Sequence, residues 1–174
     1  MLLSSALLLC VLHVATSTTP STRCFARGLT RRGGADTPPS EALDPRIPAT
    51  EALVERAVEL LAAEGAAAYD ALRVEDTEYF HDSTYVFVYS ADGVVQFNAA
   101  SPQKEGHDVK GAVDSNGKAF HDELIAAGMN SADGGWVSYA WPRPGETEPS
   151  EKWTFARRCE VDGVDCVVLS GFYQ

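Results

Sequence analysis

Lys152 sits in the run Glu151-Lys-Trp-Thr-Phe155, a single cation among aromatic and β-prone residues. A lysine in such a setting is seldom buried without a partner. The carboxylate of a small ligand would supply one, helped by a tyrosine hydroxyl or backbone N–H groups. The other reading is an exposed lysine at a strand edge. Asn98 could present its amide to the same oxygens, or serve as a turn residue with a local Asx hydrogen bond. Three His-Asp pairs, His81-Asp82, His107-Asp108 and His121-Asp122, invite a metal or acid–base reading. Their spacing matches no ligand pattern, and they read as solvated surface histidines. There is no Gly-x-Ser-x-Gly, phosphate loop or dinucleotide fingerprint. Cys159 lies inside a strand with no histidine downstream of His121, which a nucleophilic cysteine would need as its base. No catalytic residue, metal or cofactor is expected.

The elements that must position these groups follow from periodicity and turn residues. Thr50 is the expected N-cap of a helix running to about Leu72, with Leu53, Ala57, Leu60, Leu61, Ala68 and Leu72 at helical spacing and Gly65 tolerated inside it. His81-Asp82-Ser83-Thr84 reads as a turn. Tyr85–Tyr89 is a strand apolar on both faces, hence covered on both sides. Ala91-Asp92-Gly93 is a hairpin turn, and Val94–Asn98 is the return strand. Residues 99–117, with Pro102, Gly106, Gly111 and Gly117, form a loop long enough to be functional. Phe120 opens a short helix ended by Gly128.

Gly134 to Tyr173 then gives three β-rich runs separated by Gly/Pro/Glu/Asp clusters, an antiparallel meander. All three tryptophans, Trp136, Trp141 and Trp153, lie in it. Strand parity puts Val137, Tyr139 and Trp141 on one face and Trp136 and Ser138 on the other. Tyr139 and Trp141 are expected to face the ligand. The order of elements predicts an α+β fold.

A hairpin turning about Asp162-Gly163 pairs residues whose numbers sum to 325, so Cys159 should face Cys166. A two-residue loop makes them a hydrogen-bonded pair, about 5.5 Å apart at Cα, and a four-residue loop a non-hydrogen-bonded one. Either spacing admits a disulfide. A disulfide between Cys159 and Cys166 and a pair of buried thiols are the two readings.

The chain has 174 residues and a formal charge of −11. That is a one-domain length. Residues 1–17 read as a signal peptide: an apolar run too short to span a bilayer, followed by small residues at Ala15-Thr16-Ser17. Residues 18–48 read as a disordered linker or a transit-peptide-like segment, Ser/Thr/Arg-rich and without an acid before Asp36. Removing residues 1–35 takes away Arg23, Arg27, Arg31 and Arg32, leaving ten basic and twenty-five acidic side chains and a charge of −15. Such a surface argues against nucleic acid and anionic membrane as partners.

Several stretches carry a family likeness. They are Tyr85-Val-Phe-Val-Tyr-Ser-Ala-Asp-Gly93, Asn98-Ala-Ala-Ser-Pro-Gln-Lys-Glu-Gly106 with Asp108-Val109, and Asp114-Ser-Asn-Gly-Lys-Ala-Phe120. Gly135-Trp-Val-Ser-Tyr-Ala-Trp-Pro142, Lys152-Trp-Thr-Phe155 and Ser170-Gly-Phe-Tyr173 complete the set. In that order, from about Thr50 to Tyr173, they resemble a single Cache domain, the extracytoplasmic ligand-binding part of sensors and chemoreceptors. The resemblance implies a PAS-like five-stranded antiparallel sheet over residues 49–174, with a long N-terminal helix along one face. On the other face it implies a pocket for a small molecule, often a short organic acid. Phe155 stands where the family usually has tyrosine. The ligand-binding set is then Phe87, Asn98, Tyr139, Trp141, Lys152 and Phe155.

The reading is of a stand-alone, exported, non-catalytic domain that binds a small organic acid. It acts alone, as a homodimer or with a sensor partner protein, in the secretory pathway or, by a two-part address, in a plastid. Two other readings stay open: an interaction subunit with a filled core, and a small enzyme using the His-Asp pairs.

Overall fold

The computed structural model describes residues 36–38 and 44–174, all within one compact unit, Gly33–Gln174. Residues 1–17, read above as a signal peptide, most of the segment that follows them, and Cys10 and Cys24 lie outside the described residues.

Helix α1 spans Arg46–Glu64. Ile47, Thr50, Val54, Ala57 and Leu61 recur three and four residues apart, and all are buried. That stripe is one helix face, and each large aliphatic side chain it hides contributes about 1.5–3 kcal/mol. The helix begins four residues before the expected N-cap, so Thr50 lies inside it. The Asp44 carboxylate receives the Arg46 N–H at 3.0 Å instead, supplying the acceptor that a helix start requires. Gly65 is not tolerated inside the helix but ends it, at φ +61°. The Asp162 carboxylate lies where a Cβ on Gly65 would be and accepts the Ala66 N–H at 3.0 Å. A 3₁₀ turn, Gly65–Ala68, and a single α turn, α2 (Tyr69–Leu72), complete the layer.

A small hairpin, β1 (Phe80–His81) and β2 (Thr84–Tyr85), replaces the plain turn expected around Asp82. Strands β3 (Phe87–Ser90), β4 (Val95–Asn98), β5 (Gly135–Pro142), β6 (Pro149–Val161) and β7 (Val164–Tyr173) form one antiparallel sheet in the order β4-β3-β7-β6-β5. The central pairing of β3 with β7 joins the first hairpin to the meander. Tyr85 to Ser90 are all buried, as the two-sided apolar pattern requires. Helix α3 (Phe120–Met129) does not stop at Gly128. Gly128 is internal because it lies against β7, and a Cβ there would meet Val167 Cγ1.

Both sheet edges are occupied. Along β5 the Ser138 N–H donates to the Asp36 carboxylate and the Ala140 N–H to that of Asp114, each at 2.9 Å. Lys118 ties the first of these down, donating to Asp36 at 2.8 Å and to the Ser138 carbonyl at 2.7 Å. Along β4 the Val95 N–H donates to the His107 carbonyl and the Asn98 N–H to the Glu105 carboxylate. Carboxylates and loop backbone thus take the place of a further strand, which blunts edges that could otherwise pair with another chain.

Asp162 and Gly163, both at positive φ, close a two-residue turn between Val161 and Val164. The register puts Cys159 opposite Cys166, as the numbering requires. Both are free, buried thiols.

Candidate functional site

The sheet has two different faces. Trp136, Phe155 and Phe172 cluster on one, with ring centroids 5.3 and 5.8 Å apart. Helix α1 covers that face, and the Trp136 indole donates to Glu51 at 2.8 Å. Phe87, Tyr89, Tyr139, Thr154 and Lys152 project from the other. Over it lie α3 and the segment between β4 and α3. A cavity of about 240 Å³ remains between sheet and cover, lined by Tyr85, Phe87, Tyr89, Asn98, Tyr139 and Trp141 from the sheet side and by Lys104, Phe120 and His121 from the cover. A wider groove of about 630 Å³ runs outside the β5 edge. It is open to solvent, and its Asp114 and Lys118 are already engaged with backbone and with Asp36. The enclosed cavity is the candidate site.

Of the expected residues, Phe87, Asn98, Tyr139 and Trp141 all line this cavity. Phe155 does not. It is directly paired with Trp136 across β5 and β6 and packs under α1. Parity gives the reason: Lys152 and Thr154 point to the cavity face, so Phe155 must point away. The Asn98 amide oxygen accepts the Ser101 N–H at 2.9 Å, which is the local Asx contact; the residue is turn-former and wall at once. Tyr139 is held by a 3.0 Å hydrogen bond between its hydroxyl and that of Thr154, and Phe120 stacks on its ring at 4.1 Å.

Lys152 stands just behind the wall rather than in it. It is 1 % exposed. Its Nζ donates to the Tyr85 hydroxyl at 2.8 Å and lies 4.0, 5.1 and 5.0 Å from the ring centroids of Tyr85, Phe87 and Tyr173. No carboxylate pairs with it among the described residues. Burial holds its pKa well below that of an ordinary lysine, and the nearby charge of Lys104 adds to this. Three aromatic faces and one phenol stabilise an ammonium only partly. Tyr85 receives the lysine's hydrogen bond and lines the cavity, so it links the cation to whatever the cavity holds.

His121 departs from the surface reading. It is 6 % exposed and lines the cavity. Its ring lies 5.4 Å from Tyr89 and 6.1 Å from Trp141. Its Nδ1 is buried and has no hydrogen-bond partner among the described residues. Burial, then the charge of Lys104, push its pKa down to about 4, against a weaker opposing pull from Asp122. At neutral pH it is a neutral imidazole. The sequence held a signal for this: His121, Leu124 and Gly128 are three and seven residues apart, one face of a helix, and all are buried. His81 is exposed on the small hairpin, whereas His107 and Asp108, though largely exposed, also line the cavity from the segment between β4 and α3. No cluster of three or more His, Cys, Asp or Glu side chains suited to a metal occurs among the described residues.

Sequence reasoning also missed Tyr85, Tyr89 and Lys104. The first two share the parity of Phe87 and could have been read from it. Lys104, whose Nζ lies 4.3 Å from the Trp141 ring centroid, reaches the cavity only because the loop folds back.

An antiparallel sheet with a long helix on one face, and a small enclosed cavity backed by cations on the other, is the construction of a ligand-binding sensor domain. The chain belongs to the Single Cache domain 2 family, whose model matches residues 61–174. It is 31 % identical over 100 residues to the methyl-accepting chemotaxis protein McpP of Pseudomonas putida KT2440, a stretch covering 58 % of this chain but only 18 % of that receptor. A solved periplasmic sensor domain of a chemotaxis protein is 30 % identical, with a TM-score of 0.56, over 74 % of this chain and 90 % of that one. A Cache chemosensory domain solved to explain carboxylic acid recognition aligns with a TM-score of 0.56 at 21 % identity, over 76 % of this chain and 92 % of that one, a likeness of fold. No enzyme family appears among these relatives. No helix among the described residues is long and apolar enough to cross a membrane.

Proposed function

We propose that the protein binds a small organic acid in the cavity under α3, as an exported, extracytoplasmic sensor domain. The observation that carries this is Lys152, a buried cation with only a phenol for a hydrogen-bond partner, standing behind an aromatic cavity. A carboxylate at the Tyr85 hydroxyl completes the site. Lys152 donates to the phenol oxygen, and the phenol proton is then available to the anion. The negative charge gives the ammonium the counter-charge that it lacks. The cavity wall beyond, Phe87, Tyr139 and Phe120, takes the apolar part of the ligand. A volume of about 240 Å³ lies below the range of drug-sized sites, which points to a short acid. The carboxylic acid recognition described for a fold relative is in line with this reading, and the signal-peptide-like residues 1–17 with export.

Calorimetric titration with short alkanoates tests it. Saturable binding of an acid, absent with the corresponding amide, is expected. Lys152→Met should weaken that binding by ~1.5–3 kcal/mol, the usual worth of a charged hydrogen bond. An unchanged affinity in that variant would sink the assignment.

A further inference from the structure

The Lys104–Trp141 contact belongs to the cavity already described, and the groove outside β5 has its charges already partnered. The end of the β6–β7 hairpin is different: it holds two thiols that the ligand site does not use.

Cys159 and Cys166 are direct partners in a register that runs unshifted from Lys152 and Tyr173 to Val161 and Val164. Such partners have Cα atoms about 4.5–5.5 Å apart, inside the range that a disulfide spans. Opposed residues of neighbouring strands project to the same face of a sheet. Cys159 shares the parity of Phe155, so both thiols lie on the α1 side, and the Cys159 Sγ is 3.8 Å from the Val58 carbonyl. The two differ in access. Cys159 is 6 % exposed and lines an open groove of about 630 Å³ between α1, the end of α3 and β6. Cys166 is 1 % exposed and does not line it. Burial pushes both thiols up, Cys166 to about 11, with its neighbours Cys159 and Asp165 adding to the rise. The arginines of the groove do not offset this, because Arg157 is paired with Glu55 and Arg158 with Asp165. Exchange is therefore slow, and it begins at the thiol that solvent reaches.

We propose that Cys159 and Cys166 form a modification site, which an oxidant carrying a disulfide converts to an intramolecular disulfide, with Cys159 attacking first and Cys166 resolving. The Cys159 thiolate attacks one sulfur of the oxidant. A mixed disulfide forms, and the other sulfur leaves as a thiol with the proton that Cys159 gave up. Cys166, once deprotonated, attacks the Cys159 sulfur. The Cys159–Cys166 bond forms, the mixed disulfide breaks, and the second external sulfur leaves as a thiol. The pair loses two electrons and two protons, and the oxidant gains both. Extracytoplasmic compartments hold such oxidants, and the proposed export would bring the chain to one. None of these steps depends on what the cavity binds.

The probe is glutathione disulfide, applied at neutral pH to the reduced, folded full chain. No Lys or Arg lies between Cys159 and Gln174, so one tryptic peptide carries both cysteines. From the native chain that peptide should lack two hydrogens, take up no alkylating reagent and carry no glutathione, and dithiothreitol should return it to two free thiols. Cys166→Ser should instead hold one glutathione on Cys159. Cys159→Ser should leave Cys166 at least tenfold slower to react. A native peptide that keeps both thiols, a glutathione retained on Cys159 in the native chain, or a bond from either cysteine to Cys10 or Cys24 would overturn the inference, and these readouts need no variant to fold. Equal reaction of the two single variants would overturn the order of attack. Each of these outcomes leaves the carboxylate reading of the cavity standing.

Discussion

The two faces of the central sheet are built from the same strands and do opposite things. Under α1, Ile47, Val54, Ala57 and Leu61 meet Phe155, Val168 and Phe172 in a filled apolar layer. Its charges stay at the rim, as in the exposed pair Arg56–Glu78 at 2.7 Å. Under α3, the layer is incomplete and encloses a lysine that no carboxylate among the described residues neutralises, beside a histidine that burial keeps neutral. One face is spent on stability. The other gives up some stability to keep a cation and an imidazole next to a cavity, the arrangement that functional sites favour. Strand alternation lets a single sheet do both, because neighbouring residues such as Thr154 and Phe155 serve different layers.

The largest effect should come from the filled face. Leu61→Ala leaves a hole where no element can follow and should cost ~2–5 kcal/mol in denaturant unfolding. The affinity of the folded protein for its ligand should be unchanged; a parallel loss would mean that the two faces are coupled.

Lys152→Met should act in the opposite sense. It weakens the ligand as above, yet it should stabilise the unliganded protein at pH 7 by about 1–3 kcal/mol, since an apolar side chain replaces an incompletely compensated buried charge. The sign follows from linkage. The folded-state pKa lies below 10.5, so between the two values the unfolded chain holds more protons and native stability rises with pH. The Met variant should lack that slope, and a destabilised variant with the same slope would contradict the account.

A smaller pH effect belongs to His121. Its folded pKa of about 4 lies under the ordinary value of 6.5, so its contribution is fully present above pH 6.5 and lost as pH falls toward 4. The slope should approach ~1.4 kcal/mol per pH unit at most. Comparing unfolding at pH 7, 5.5 and 4.5 in native and His121→Leu protein isolates it, because the variant should lose this component.

The smallest effect should be that of Phe155→Leu on binding. The residue is on the α1 face, so ligand affinity should change by less than twofold while stability falls by roughly 1 kcal/mol. A marked affinity loss would place Phe155 back in the site.

Local signals were enough for most of the elements and for much of the register, though not for the β1–β2 hairpin or the ends of α1. Apolar spacing marked α1 and α3, Asp-Gly and Gly/Pro clusters marked the turns, and the symmetry about Asp162-Gly163 set Cys159 opposite Cys166. Parity alone put Tyr139 and Trp141 together, which the cavity uses. These features are legible because they depend on neighbours within a few residues. Other features depended on what lies across the sheet. Gly65 ends a helix because Asp162 fills its Cβ position, and Gly128 stays in one because Val167 presses against it. Phe155 left the site and His121 joined it because two different covers close the two faces, and residue type does not tell which cover a side chain will meet. Composition and period established what this chain could build. Packing between segments far apart in sequence decided which of its aromatics and cations share a cavity, because burial and desolvation arise only when those segments meet.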